Sequence, residues 1–147
     1  MEELVQRPQR QARAYSLDCP GPHQDLEVKD AGEKGKGLFA TEDLKRGTCV
    51  GCYLGLIISD AYSKGYSHDS SSYCMEFKHS GMIIDAFTQG TIVRFANHST
   101  HPNAEIQWEV HGGAFHPALR LKRLVQAGEE ICFNYGRKYW ARETPLP

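Results

Sequence analysis

The run Arg94-Phe95-Ala96-Asn97-His98-Ser99-Thr100-His101-Pro102-Asn103 carries more polar atoms than a chain reversal requires. Ile92, Val93, Phe95 and Ala96 mark it as a buried segment. Buried Asn and His must find hydrogen-bond partners, so this run either holds a ligand or orders backbone as a polar plug in the core. A second polar stretch, Phe133-Asn134-Tyr135-Gly136, closes an apolar strand pattern on a tyrosine hydroxyl. Tyr53-Leu54-Gly55 sets another hydroxyl beside a flexible point. Gly35-Lys36-Gly37 allows backbone N–H groups to approach a bound group closely, although alone it reads better as a hairpin turn.

Other chemistries are poorly represented. No Gly-Lys-Ser/Thr follows the glycines, so a nucleotide P-loop is excluded. Cys49-Val50-Gly51-Cys52 has redox spacing but lies inside a strand pattern, where nothing lowers a thiol pKa. No second cysteine pair completes a zinc site, and both thiols read as small core residues.

The elements that position these residues are short strands. Alternation or β-branched content predicts strands at Leu26–Lys29, Thr48–Leu54, Leu56–Ile58, Tyr73–Phe77, Met82–Asp85, Ala104–Val110, Leu119–Leu124 and Ile131–Gly136. One helical turn, capped by Ser59, is predicted over Ser59–Lys64, and a short helix over Thr91–Ala96. The chain has 147 residues, 40% hydrophobic and 24% charged, which suits one domain with a real core. Lys plus Arg number 17 against 18 Asp plus Glu, so no overall field draws nucleic acid or an anionic membrane, and no direct binding to either is expected. Five cysteines without a signal peptide are expected to be reduced thiols of an intracellular protein.

The order of the pieces is more specific than any one of them. Gly35-x-Gly37, Tyr53-x-Gly55, Arg94-Phe95-x-Asn97-His98-Ser99 with Pro102-Asn103, and Gly128-Glu129-Glu130-Ile131 with Phe133-Asn134-Tyr135-Gly136 together resemble the SET domain of protein lysine methyltransferases. The resemblance runs from about Leu26 to Trp140. It implies a mainly β fold of several small twisted sheets around a C-terminal pseudoknot, with little helix. It divides the chain into a loosely ordered arm (1–24), a SET domain (25–136) and a tail over the cofactor site (137–147).

The resemblance also implies the chemistry: methyl transfer from S-adenosylmethionine to a lysine amine in a protein, a histone tail among the candidates. Tyr135, Tyr53 and Tyr73 take the catalytic positions, and Phe133 with Tyr53 lines the substrate channel. Lys36, Gly37, Leu38, Arg94, Phe95, Asn97, His98 and Tyr135 hold the donor. Phe at 133 leaves room for di- or trimethylation. A catalytically inactive SET-like binding module and a methyltransferase for a non-histone lysine are the alternatives. A histone substrate favours the nucleus over the cytoplasm. Oligomeric state is not fixed, and a dimer completing the substrate groove is compatible with the sequence.

Three departures from the family pattern refine this. Thr100 stands where the family commonly has Cys, and the tail has no cysteine, so no zinc is expected. Trp140 then becomes the candidate to cover the adenine, its alternative being a hydrophobic staple on the sheet. Asn134 replaces the usual Asp but keeps an acceptor. No cysteine-rich segment of the kind that often precedes the domain is expected from residues 1–24.

Overall fold

The computed structural model describes residues 20–65, 73–76, 82–87 and 90–136. Ten strands occur among them: β1 Leu26–Asp30, β2 Lys36–Ala40, β3 Cys49–Cys52, β4 Leu56–Ser59, β5 Cys74–Glu76, β6 Met82–Asp85, β7 Asn97–His98, β8 Ala104–His111, β9 Ala114–Leu121 and β10 Glu130–Phe133. One helical turn, α1 Asp60–Ser63, and two 3-10 turns, Gly32–Lys34 and Ile92–Phe95, complete the described elements. Ser59 caps α1 by accepting from Tyr62 N–H at 3.0 Å, as its residue type predicts.

The strands form three sheets, ordered β1-β2-β10-β7, β3-β9-β8 and β4-β6-β5. β6 is central in its sheet and loaded on both faces. Ile84 joins Ile57 in the main core, whereas Ile83 packs with Leu56, Ile58 and Cys74 in a second cluster. This is why its sequence reads as a continuous apolar run. The main core gathers Leu38, Val50, Val93, Leu119, Val125 and Ile131, all fully buried.

β8 and β9 pair along their whole length, from Ala104↔Leu121 to His111↔Ala114. Gly112 and Gly113 join them with φ of 61° and 80°, the left-handed pair that a tight hairpin requires. The strand expected at Leu119–Leu124 begins earlier and stops at Leu121. Beyond it the chain turns so that Val125 can bridge Leu44, and Lys122 N–H is spent on Asn103 O at 2.8 Å. Gly35, with φ 79°, belongs to the turn between β1 and β2, and Lys36 and Gly37 open β2.

The first sheet builds the crossing. β10 pairs antiparallel with β2 (Glu130↔Phe39, Ile131↔Leu38) and parallel with β7 (Cys132↔Asn97, Phe133↔His98). Asn103, 4% exposed, brackets it: Nδ2 donates to Glu130 O at 2.8 Å and Oδ1 accepts from Cys132 N–H at 2.9 Å. Both ends of a buried amide are thereby satisfied by one strand.

The expectation of reduced thiols throughout is corrected at one position. Cys52 is disulfide-bonded, whereas Cys49, Cys74 and Cys132 are free. The segment from Pro20 to His23 lies along β3, with Cys52 N–H donating to Pro20 O at 3.3 Å and His23 N–H to Val50 O at 2.8 Å. A strand pattern alone cannot reveal that neighbour. No helix among the described residues is long and apolar enough to cross a membrane.

Candidate active site

Because β7 and β10 run in parallel register, the residues following Phe133 overlie the segment from Ala96 to His98. Tyr135 uses every part of itself there. Its hydroxyl donates to Ala96 O at 2.9 Å, and its backbone N–H donates to His98 Nδ1 at 3.1 Å. Its ring centroid lies 4.9 Å from Phe133 and 5.4 Å from His98. Gly136, with φ 93°, then turns the chain, and its N–H donates to Asn134 Oδ1 at 2.8 Å. Asn134 thus supplies the acceptor that an Asp would supply.

His98 accepts through Nδ1, so its proton belongs on Nε2. Burial, and then the nearby Lys34 ammonium, push its pKa below the usual histidine value.

Tyr53 is 5% exposed and donates its hydroxyl to Tyr73 O at 2.9 Å. Its ring meets Phe133, 4% exposed, nearly edge-on at 6.5 Å. Tyr53 leaves β3 with its own N–H on Pro117 O at 2.8 Å. Two residues on, the chain passes so close to β6 that a Cβ on Gly55 would lie 2.2 Å from Asp85 O. Only glycine fits that approach. Tyr73 contributes its carbonyl to Tyr53 and its ring to a second aromatic group, 5.9 Å from Phe95 and 5.8 Å from Phe87.

The hydroxyl protons of Tyr53 and Tyr135 are thus both committed to backbone carbonyls. Toward any further group, each phenol oxygen can only accept. The rings of Tyr135, Phe133 and Tyr53 form one continuous aromatic wall.

On the other side of the crossing, Asn97 Nδ2 donates to Lys36 O at 2.9 Å and to Glu130 Oε2 at 2.8 Å. Glu130 Oε1 takes Lys34 Nζ at 2.9 Å. The backbone around Gly37 is already engaged in the β1–β2 ladder, and Leu38 is fully buried between Val28 and Ile131. Arg94 turns elsewhere: it donates to Ala86 O at 3.1 Å, with its guanidinium 5.0 Å from the Phe95 ring centre. Cys132, buried below Lys34, has its thiol pKa raised to about 11 by burial, so it is no nucleophile at neutral pH. Trp140 lies outside the described residues.

The structure therefore brings Tyr135, Phe133, Tyr53, Asn97, His98 and Lys36 to one crossing, with Tyr73 and Phe95 at its flank. Sequence reasoning missed Ala96 as the acceptor, Asn103 as the bracket, and Glu130 and Lys34 as an ion pair reaching Asn97. The Glu129-Glu130 pair beside the last strand was the available signal.

A family model described as "SET domain" matches residues 35–136. The chain belongs to the SET-domain family. The matched region opens at the hairpin-turn Gly35 and closes at the left-handed Gly136, so it contains the whole crossing. This SET domain is similar to histone-lysine N-methyltransferase SETD2 of Homo sapiens, at 35% identity over 129 residues, 83% of this chain and 5% of that protein. It is also similar to a histone-lysine N-methyltransferase, H3 lysine-36 specific, of Debaryomyces hansenii, at 34% identity over 119 residues, 76% of this chain and 16% of that protein. Histone-lysine N-methyltransferase ash1 of Drosophila melanogaster matches at 32% identity over 109 residues, 70% of this chain and 5% of that protein. The chain thus spans only a small part of the curated relatives it matches.

Proposed function

We propose that this chain transfers methyl groups from S-adenosylmethionine to a lysine side-chain amine in a protein, with histone H3 the first substrate to test. The observation that carries this reading is the Tyr135 hydroxyl, held on Ala96 O beside the Asn97-His98 pair and against the Phe133 ring. The names of the similar proteins, histone-lysine N-methyltransferases, point the same way.

The residues suit such a donor. A sulfonium methyl carries partial positive charge, and the oxygens of Tyr135 and Ala96 lie 2.9 Å apart at the crossing. Such oxygens orient polarised C–H groups. S-adenosylmethionine supplies the methyl and the sulfur leaving group. Asn97, His98 and the Lys36–Leu38 strand are the proposed donor contacts, with Arg94 and Phe95 preceding them and Trp140 the proposed cover over the adenine.

A free lysine amine titrates near ~10.4 and must lose a proton before it can attack. Tyr53 and Phe133 offer buried aromatic walls that disfavour the charged ammonium. With their own protons committed, the phenol oxygens of Tyr53 and Tyr135 accept from the amine N–H groups and aim its lone pair at the methyl. Alignment of this kind can contribute up to roughly ten kcal/mol to the rate. Phe133 adds no hydroxyl to this space, which favours di- or trimethylation. A histone substrate carries nuclear residence with it.

The test is transfer of a radiolabelled methyl group to H3 peptides, to peptides with the target lysine replaced by arginine, and to a cell extract. Label on the lysine peptides alone supports the reading. Label only on extract proteins moves the substrate away from histones. Donor binding with no transfer to anything leaves a binding module and ends the enzymatic reading.

A further inference from the structure

Three segments distant along the chain meet around the carboxylate of Glu130. Its Oε1 takes Lys34 from the 3-10 turn after β1, and its Oε2 takes Asn97 Nδ2 from β7. The other proton on that amide nitrogen goes to Lys36 O on β2. Both amide protons of Asn97 are used, so the side chain has no rotational freedom left. β2 makes room for the arrangement: a Cβ on Gly37 would lie 2.8 Å from Glu130 Oε2. Gly37 is therefore glycine at least partly because the carboxylate occupies the space beside it.

We propose that Glu130, steadied by Lys34, is a positioning residue for methyl-donor binding. It fixes the spacing between Lys36–Leu38 and Asn97–His98, the two segments proposed above as donor contacts. This rests on the functional reading given above. The carboxylate need not touch the donor; it acts through Asn97. The side chains of Lys34 and Glu130 are 46% and 18% exposed. Solvent-screened pairs of this kind add little to fold stability, which makes a binding defect separable from an unfolding defect.

The experiment measures S-adenosylmethionine affinity by calorimetry, KM for donor and peptide, and thermal midpoint, in the full chain and its variants. In Glu130→Ala the donor Kd and donor KM are expected to rise about tenfold, ~1.4 kcal/mol, with peptide KM and kcat unchanged. Glu130→Gln keeps an acceptor for Asn97 and should recover most of the affinity. In a double-mutant cycle, adding Glu130→Ala to Asn97→Ala should cost no further affinity. Wild-type affinity in Glu130→Ala overturns the proposal, as does an affinity loss that Gln does not recover and that follows the thermal midpoint. Wild-type protein that binds no donor overturns the functional reading itself, and this inference with it.

Discussion

The phenolic oxygen of Tyr135 and the carbonyl oxygen of Ala96 are 2.9 Å apart, although 39 positions separate them in the chain. The hydroxyl proton is spent on that carbonyl, so toward any further group the phenol can only accept. Tyr135→Phe removes the oxygen while keeping the ring contacts with Phe133 and His98. Methyl transfer should fall by ~100-fold or more, since a misaimed amine loses its approach geometry. Donor affinity should stay near the wild-type value. Single-turnover assays beside donor titrations check this, and a variant that keeps full turnover would remove Tyr135 from the mechanism.

Phe133 is 4% exposed, between Tyr53 and Tyr135. A hydroxyl added there enters space that a growing methylammonium would need. Phe133→Tyr should shift products toward monomethyl-lysine, read directly by mass spectrometry of the peptide. An unchanged product distribution would count against Phe133 as the residue that sets methylation state.

Asn103→Ala leaves Cys132 N–H and Glu130 C=O without the amide that satisfies both. Each orphaned group costs about 1–3 kcal/mol, so the variant should lose roughly 2–6 kcal/mol in urea unfolding. Asn103→Asp keeps the acceptor for Cys132 but buries a carboxylate against the Glu130 carbonyl, so its loss should be at least as large. Equal stabilities for wild type and Asn103→Ala would show that β10 is held by its ladders alone.

His98 titrates below its ordinary value when folded, chiefly through burial. Well above the ordinary histidine value of ~6.5 it is neutral in both states, and the full contribution of the half-buried neutral ring is present. As pH falls below that value the unfolded chain takes up a proton that the folded chain resists, so stability declines. The decline ends once pH drops below the depressed folded pKa. Protonation also places a hydrogen on Nδ1, opposing the bond from Tyr135 N–H. Unfolding free energies between about pH 5 and 8 should show this slope, and His98→Gln should flatten it. The same slope in the variant would assign the effect to another group.

Local features of the fold are written plainly in the sequence. Ser59 announces its cap, Met82–Asp85 its strand, and the Asn-His and Tyr-Gly motifs the two halves of the site. Long-range features are not. Lys34 and Glu130 are 96 positions apart and Asn97 and Glu130 are 33 apart, and no periodicity links them. The Leu119–Leu124 alternation continues past the true end of β9 because Val125's bridge to Leu44 overrides local pattern. Gly112-Gly113 is a different case: it is a sound hairpin signal that the sequence reading passes over.

β10 is the last strand of the described chain, yet it occupies an interior place in its sheet, between β2 and β7. A nascent polypeptide leaving the ribosome therefore exposes the edges of β2 and β7 until the closing residues arrive to join them. Partners of such high sequence separation assemble slowly, and the β2 and β7 sides of the crossing are joined in one late event. Chains interrupted before Glu130 would carry most of the SET-domain sequence without the crossing that gathers its candidate site, and a synthetic peptide spanning β10 and Tyr135 would be the reagent to restore it.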